Sequence, residues 1–337
     1  MLQLVNHSPF APGMFLFPNE VGIDTIYAVV KATFDLSFDK PAPAAMQTPV
    51  TLTDEYHGAP DGSSLKLASE AHLTKPGTDV IVVGDALAPD DREVTSLDVS
   101  LSVGDRYEEI KVWGDRAWKG TGLKSWPGEP APFTRMPMVF ERSFGGMQTI
   151  EQSDGTVEVL SEPFNPVGRG FRGRRSFDEL KAEPVPNLED PKYPVTSMRS
   201  KARPVGFGFV APWWAPRMHF AGTYDAAWQK HRSPYLPDDF DLRFFNAAPE
   251  GWVFEEQLEG GAPVSIRNMS PGGELSFEVP RLDLGIEITV AGKVETPPLR
   301  LETLLIEPNA LRCSMTFRAK VACDKKALAV SEVRIVG

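Results

Sequence analysis

From Ile26 the chain alternates without a break. Ile26, Ala28, Val30, Ala32, Phe34, Leu36 and Phe38 are interleaved with Tyr27, Val29, Lys31, Thr33, Asp35 and Ser37. A period of two held over 13 residues describes a long strand with one buried face, and a helix of period 3.6 cannot share it. The same rhythm returns near the other end, where Cys313, Met315, Phe317, Ala319, Val321 and Cys323 are separated by polar residues. Between these two anchors lie further strands. Asp79–Gly84 reads as a short buried one. Leu97, Val99, Leu101 and Val103 lead through Gly104-Asp105 to Ile110 and Val112, a hairpin pattern. Leu275, Phe277 and Val279, then Leu282 to Val290, alternate as well, while Leu301–Ile306 is apolar and Leu328–Val336 supplies a last strand. Sequential strands joined by Gly, Pro and Asn turns favour antiparallel sheets over βαβ units. Phe34, Leu36, Met315 and Phe317 are expected in the core, on facing sheets.

The middle of the chain behaves differently. From about Glu151 to Arg217 alternation fades and prolines recur, from Pro163 to Pro216. Gly222–Pro249 then packs Tyr224, Trp228, Tyr235, Phe240, Phe244 and Phe245 among aspartates and arginines. Pro234, Pro237 and Pro249 each restrict the residue before them, so this stretch is neither one helix nor one central strand. Such aromatic content marks an ordered loop, with a short helical turn near Asp225–Lys230. Its plainest role is to close the core. The expected fold is mainly β, with antiparallel sandwich-like sheets, long ordered proline- and aromatic-rich loops and few short helices. It forms a single composite domain over 1–337, with an N-terminal sheet region (1–150), a loop-rich central region (151–250) and a C-terminal sheet region (251–337).

Charge and motif content narrow the function. A net charge of −11 argues against a general nucleic-acid or anionic-membrane binder. No apolar run approaches the about 20 residues of a membrane span, and the N-terminus lacks the basic and apolar regions of a secretory signal, so a cytoplasmic location is expected. Cys313 and Cys323 sit ten positions apart on one strand. That is roughly 33 Å of extended chain, far beyond the reach of a disulfide. The five histidines (His7, His57, His72, His219 and His231) show no metal-ligand spacing. Asp238, Asp239 and Asp241 lack the glycine and terminal glutamate of a calcium loop. Asp225, His231 and Ser233 sit on no nucleophile elbow. The glycine-rich VGRGFRG and VGFGF stretches lack the strand–helix context of a phosphate cradle. No catalytic residue, metal or cofactor is expected.

Several longer stretches have a recognisable character. They are KPGTDVIVVGDALAP (75–89), LSVGDRYEEIKVWGDRAW (101–118), PMVFERSFGG (137–146), FNPVGRGF (164–171), PNLEDP (186–191) and TYDAAWQKHRSPYLPDDFDLRFFNAAP (223–249). Together they resemble a family of unknown-function domains encoded beside type VI secretion spike genes, whose members are regarded as adaptors or chaperones. Where that family commonly carries a tryptophan–arginine pair in a C-terminal strand, this chain has Phe317-Arg318. The resemblance implies a non-enzymatic protein that binds an effector and helps load it onto the spike or tip complex. Two other classes stand beside it: an enzyme whose site is assembled in space from His219 or His231 with Asp225 or Glu141, and a structural component that travels with the spike.

The central region also carries the candidate contact residues. Interfaces draw on tryptophan, tyrosine and arginine, which singles out Trp213, Trp214, Arg169, Arg172, Tyr224, Trp228, Arg232 and Tyr235. Each has a plainer alternative, the tryptophans as caps on a sheet end and the arginines as internal braces. Glu141, Arg142, Gly145, Gly146, Asn165, Pro166, Gly168 and Arg243 are expected to hold loops in place.

Overall fold

The computed structural model describes residues 2–37, 40–121, 124–323 and 327–337. At its centre is a seven-stranded sheet whose strands run in the order Val253–Phe254, Thr78–Val82, Arg300–Glu307, Arg312–Ala322, Asp24–Asp35 and Ala11–Pro18. Ala42–Pro43 pairs beside the end of Asp24–Asp35. The two alternating runs are direct neighbours, with Ala28 opposite Ala319, Val30 opposite Phe317 and Phe34 opposite Cys313. Phe34, Met315 and Phe317 therefore lie on adjacent strands of one sheet, not on facing sheets. Phe34, Leu36 and Met315 are buried, whereas Phe317 is only half-buried. Thr78–Val82 pairs parallel with Arg300–Glu307, an exception to the antiparallel expectation. Parallel pairing needs a long crossover, and more than two hundred intervening residues supply one.

Two further sheets complete the layers. One has the order Leu188–Glu189, Arg106–Trp113, Ser96–Val103, Pro263–Arg267 and Glu274–Glu278. The other places Gln3–Asn6 parallel to Val330–Val336, followed by Gly285–Val290 and Lys293–Glu295. Every large sheet mixes early and late strands, so neither the N- nor the C-terminal region builds a large sheet of its own; only two-stranded ribbons such as Trp118–Thr121 with Lys124–Pro127 are local. One contiguous apolar cluster runs through them all and includes Val30, Ile306, Leu101, Ile266, Ile286 and Ile335. The fold is mainly β, and the one α-helix among the described residues is Ala226–His231. Asp225 caps it by accepting the Trp228 N–H at 2.8 Å. The exposed edge strand Ala11–Pro18 carries Pro12 and Pro18, each of which removes a donor from the edge and discourages unwanted pairing.

The long strand Asp24–Asp35 is buried on both faces, whereas its alternation predicts one. Ile26, Ala28, Val30, Ala32 and Phe34 enter the apolar core. Tyr27, Val29, Lys31 and Thr33 turn the other way and are equally covered. On that second face three buried ion pairs form: Lys31–Glu70 at 3.0 Å, Lys75–Asp79 at 2.7 Å and Arg318–Glu302 at 2.6 Å. Each carboxylate accepts further bonds. Glu70 takes the Thr51 N–H (2.6 Å), Glu302 the Lys75 N–H (2.8 Å), and Asp79 the Asn246 amide and the Ala247 N–H (both 2.8 Å). Buried charge is tolerable only when paired and hydrogen-bonded in this way. The partners come from segments around Thr51–Lys75 and Asn246–Ala247, which lie over the sheet as a second cover.

Candidate partner-binding groove

Two of the recognisable segments meet as a knot. Asn165 is fully buried, and its side-chain amide donates to the carbonyls of Phe140 (2.8 Å) and Phe144 (2.9 Å). Gly145, at φ 153°, passes so close to the Asn165 carbonyl that a Cβ would stand 2.1 Å from its oxygen, which only glycine permits. Gly146 (φ 119°) and Gly168 pack into the same crossing, and Pro166 is buried beside it. Arg169 donates to the Glu141 carbonyl (2.9 Å) and to Asn187 (3.1 Å), while Arg142 reaches Asp115 (3.0 Å) and Asn187 (3.2 Å). The Glu141 carboxylate accepts the Ser64 N–H and hydroxyl, both at 2.7 Å. The Asn187 side chain ties both arginines to the end of the strand Arg106–Trp113 by also donating to the Trp113 carbonyl (3.0 Å). Burial raises the carboxyl pKa of Asp115, but its bonds from Asn187 and Arg142 outweigh that and hold it below the usual range. Asn187 and Asp115 were not singled out individually from the sequence, although each lies inside a quoted segment.

The knot fixes one wall of an open groove of about 1090 Å³. Arg106 to Glu109, at the start of the strand Arg106–Trp113, form another wall; Phe164, Asp190–Lys192, Ala202–Gly206 and Pro249–Trp252 supply the rest. Tyr107 and Phe164 remain 64% and 46% exposed on its lips. Trp252 is buried in the floor, and its indole N–H donates to Glu108 at 2.6 Å. Arg106 ties the strand to the loop opposite by donating to the carbonyls of Gly251 and Val253, both at 2.7 Å, with its guanidinium 3.8 Å above the Phe254 ring. Burial raises the Glu108 carboxyl pKa, and nearby Asp190 adds to this; the Trp252 bond and Lys192 only partly offset it.

The residues marked out for partner contact separate into three places. Trp214 is 0% exposed and packs edge-on against Phe140 (5.4 Å between ring centres) and Trp213 (5.7 Å). It offers no surface to a partner; instead it backs Phe140, which lines the groove. Trp213 is half-buried against the core. Arg169 belongs to the knot, and Arg172 is exposed beside the Phe177 ring at 5.5 Å. Tyr224, Trp228, Arg232 and Tyr235 come together elsewhere, around the helix. The Tyr224 and Trp228 rings lie 4.7 Å apart, Trp228 donates to the Tyr235 carbonyl (2.8 Å), and Arg232 donates to the Glu20 carbonyl (2.7 Å). Arg243 stays local, bonded to Asp241 at 2.9 and 2.6 Å and stacked 4.4 Å over Phe220.

His219 and His231 are exposed and do not line the groove, and Glu141 is committed to Ser64. Among the described residues no cluster of three or more His, Cys, Asp or Glu side chains has the geometry to hold a metal ion. Burial pushes the Cys313 thiol up to about 12, which leaves it unreactive as a nucleophile near neutral pH. Among the described residues no helix is long and apolar enough to cross a membrane. What the groove offers is aromatic surface, a sheet strand and unpaired charge, which are the materials of recognition.

Residues 21–318 match the family described as uncharacterized proteins conserved in bacteria (DUF2169), and the chain belongs to that family. The match spans the knot, every wall of the groove and the central sheet apart from Ala11–Pro18 and the end of Arg312–Ala322. Comparisons with curated proteins and with solved structures return no match.

Proposed function

We propose that this chain is a non-catalytic adaptor that holds a protein partner in the groove, and that its partners are a type VI secretion effector and the spike or tip complex to which the effector is delivered. The observation that carries the binding part of this reading is the groove itself. Its volume of about 1090 Å³ lies above the range of about 300–1,000 Å³ usual for small-molecule sites. Its lips expose large aromatic rings, and its walls are braced from behind by the knot and by Trp214. The secretion setting rests on the resemblance of the long segments described above. An adaptor of this kind works in the cytoplasm before firing and needs no cofactor.

The test is co-purification of the tagged chain with the effector and spike proteins encoded beside its gene. Retention of both, and their loss when Tyr107→Ala and Phe164→Ala are combined without loss of thermal stability, is the expected result. Failure to retain either neighbour overturns the secretion role. Appearance of the chain in sheared secretion tubes would replace the adaptor with a component that travels with the spike.

A further inference from the structure

The groove contains a free sheet edge. In the second sheet the strand Arg106–Trp113 pairs along its whole length with Ser96–Val103 on one side. On its other side it meets Leu188–Glu189 alongside Lys111 and Val112, and the Asn187 carbonyl accepts the Trp113 N–H at 2.8 Å. Among the described residues, Arg106 to Ile110 have no strand beyond them, and Arg106 to Glu109 are the residues that form the groove wall. The outward backbone groups of this stretch are thus available for pairing with an extended chain, a recurring way in which a sheet edge recognises a peptide. An added strand would run in line with Leu188–Glu189, beside Asp190 and Lys192. Its side chains would alternate between the Glu108–Trp252 floor and the Tyr107–Glu109 lip, since successive residues of a strand point to opposite faces.

Charge selects the kind of strand. Five carboxylates line the groove, those of Glu108, Glu109, Glu162, Asp190 and Glu250, against three cations. Among the described residues none of the five forms an ion pair. Two of the cations are already engaged: Arg106 with two carbonyls and the Phe254 ring, and Arg203 with the Tyr193 ring at 4.0 Å. Among the described residues the Trp252 indole is the one donor to the half-buried Glu108 carboxylate. Resting on the reading that the groove takes a partner, we propose that it binds an extended, basic segment of that partner as an added strand. Lysine or arginine side chains meet Glu108, Glu109 and Asp190, and apolar ones lie on Tyr107 and Phe164. The aromatic lips also attract cations through their ring faces.

Three short labelled peptides of equal length serve as probes, with lysine, glutamine or glutamate alternating with tyrosine and alanine. A fourth repeats the lysine peptide with N-methyl groups on alternate amides. The lysine peptide should bind the intact protein at least about tenfold more tightly than the glutamate peptide at low salt, and should weaken as salt is added. Combining Glu108→Gln with Asp190→Asn should remove most of that preference. Glu274→Gln with Glu278→Gln, on an exposed edge strand elsewhere, should leave it unchanged, which separates the groove from the protein's overall negative charge. N-methylation should abolish binding if backbone pairing is made. Equal binding of the lysine and glutamate peptides, an equal effect of the two double variants, or unimpaired binding of the N-methylated peptide each overturns the proposal. If the neighbouring effector still co-purifies through the groove while no basic peptide binds, the adaptor reading stands and the added basic strand falls.

Discussion

The two faces of the central sheet are equally dry and chemically opposite. One carries Val30, Ala32, Leu304, Ile306 and Met315 into a continuous apolar core. The other carries Lys31, Asp79, Glu302 and Arg318, neutralised in pairs by charges on the sheet and on the segments folded over it. Apolar packing is forgiving of identity so long as volume is kept. Ion pairs are not, because removing one member strands the other in a place water cannot reach. The contrast means that the covering segments are held in one arrangement by charge matching, while the sandwich interior is held by area.

That contrast can be broken most severely at Arg318. Arg318→Met keeps much of the side-chain volume but leaves Glu302 unpaired, and chemical denaturation should show a loss of about 3–5 kcal/mol. Adding Glu302→Gln retains the acceptor for the Lys75 N–H and removes the stranded charge. The double variant should therefore be more stable than Arg318→Met by at least about 1 kcal/mol, and a double variant no better than the single would mean that the pair is not what holds this face. On the apolar face, Ile306→Val removes one methyl group and should lower stability by only about 0.5–1.5 kcal/mol. A larger loss there than at Arg318 would invert the comparison.

The smallest effect expected is one of pH. The His72 ring stacks on Phe245 (5.2 Å) with Arg318 at 3.3 Å from its Nε2. Burial, and then the charges of Arg318, Lys75 and Arg217, hold its pKa well below the ordinary value. The unfolded chain takes up this proton near about pH 6.5, whereas the folded protein does so only at a much lower pH. In the interval the unfolded state binds more protons, so stability falls as the pH is lowered through it. Wild type and His72→Phe, compared by thermal unfolding from pH 7 to pH 5, should show the wild type losing relative stability toward acid. A difference that stays constant over this range would mean that His72 is not held neutral.

Much of the β framework was legible, because period-two alternation survives in sequence wherever one face differs from the other. The turn at Gly104-Asp105 and the helical turn capped by Asp225 were readable for the same local reasons. Lys31 and Thr33 misled because a lysine and a threonine in alternation look like a solvent face. Their burial depends on Glu70 and Thr51, which are distant partners that no local pattern reveals. Trp213-Trp214 looked like a contact pair because tryptophan is a frequent anchor of interfaces, with burial as a sheet-end cap as the plainer alternative. Trp214 owes its burial to Phe140, more than seventy positions earlier in the chain. The groove was illegible as a unit, since its walls come from seven separated stretches and its key feature is an absence of strand pairing, among the described residues, at Arg106–Ile110.

The interleaving of early and late strands also bears on how the chain is made. Thr33 bonds Ser314 across the sheet at 3.1 Å, with 281 positions between them. During synthesis the strand Asp24–Asp35 emerges well before its neighbour Arg312–Ala322. Pairing so remote in sequence is slow to form, and it leaves apolar strand edges open in the meantime. Until then the early neighbours of Asp24–Asp35 among the described residues are Ala11–Pro18 and the two-residue Ala42–Pro43. A premature stop anywhere before Arg312 would therefore leave the central sheet without one of its interior strands, not a smaller working protein.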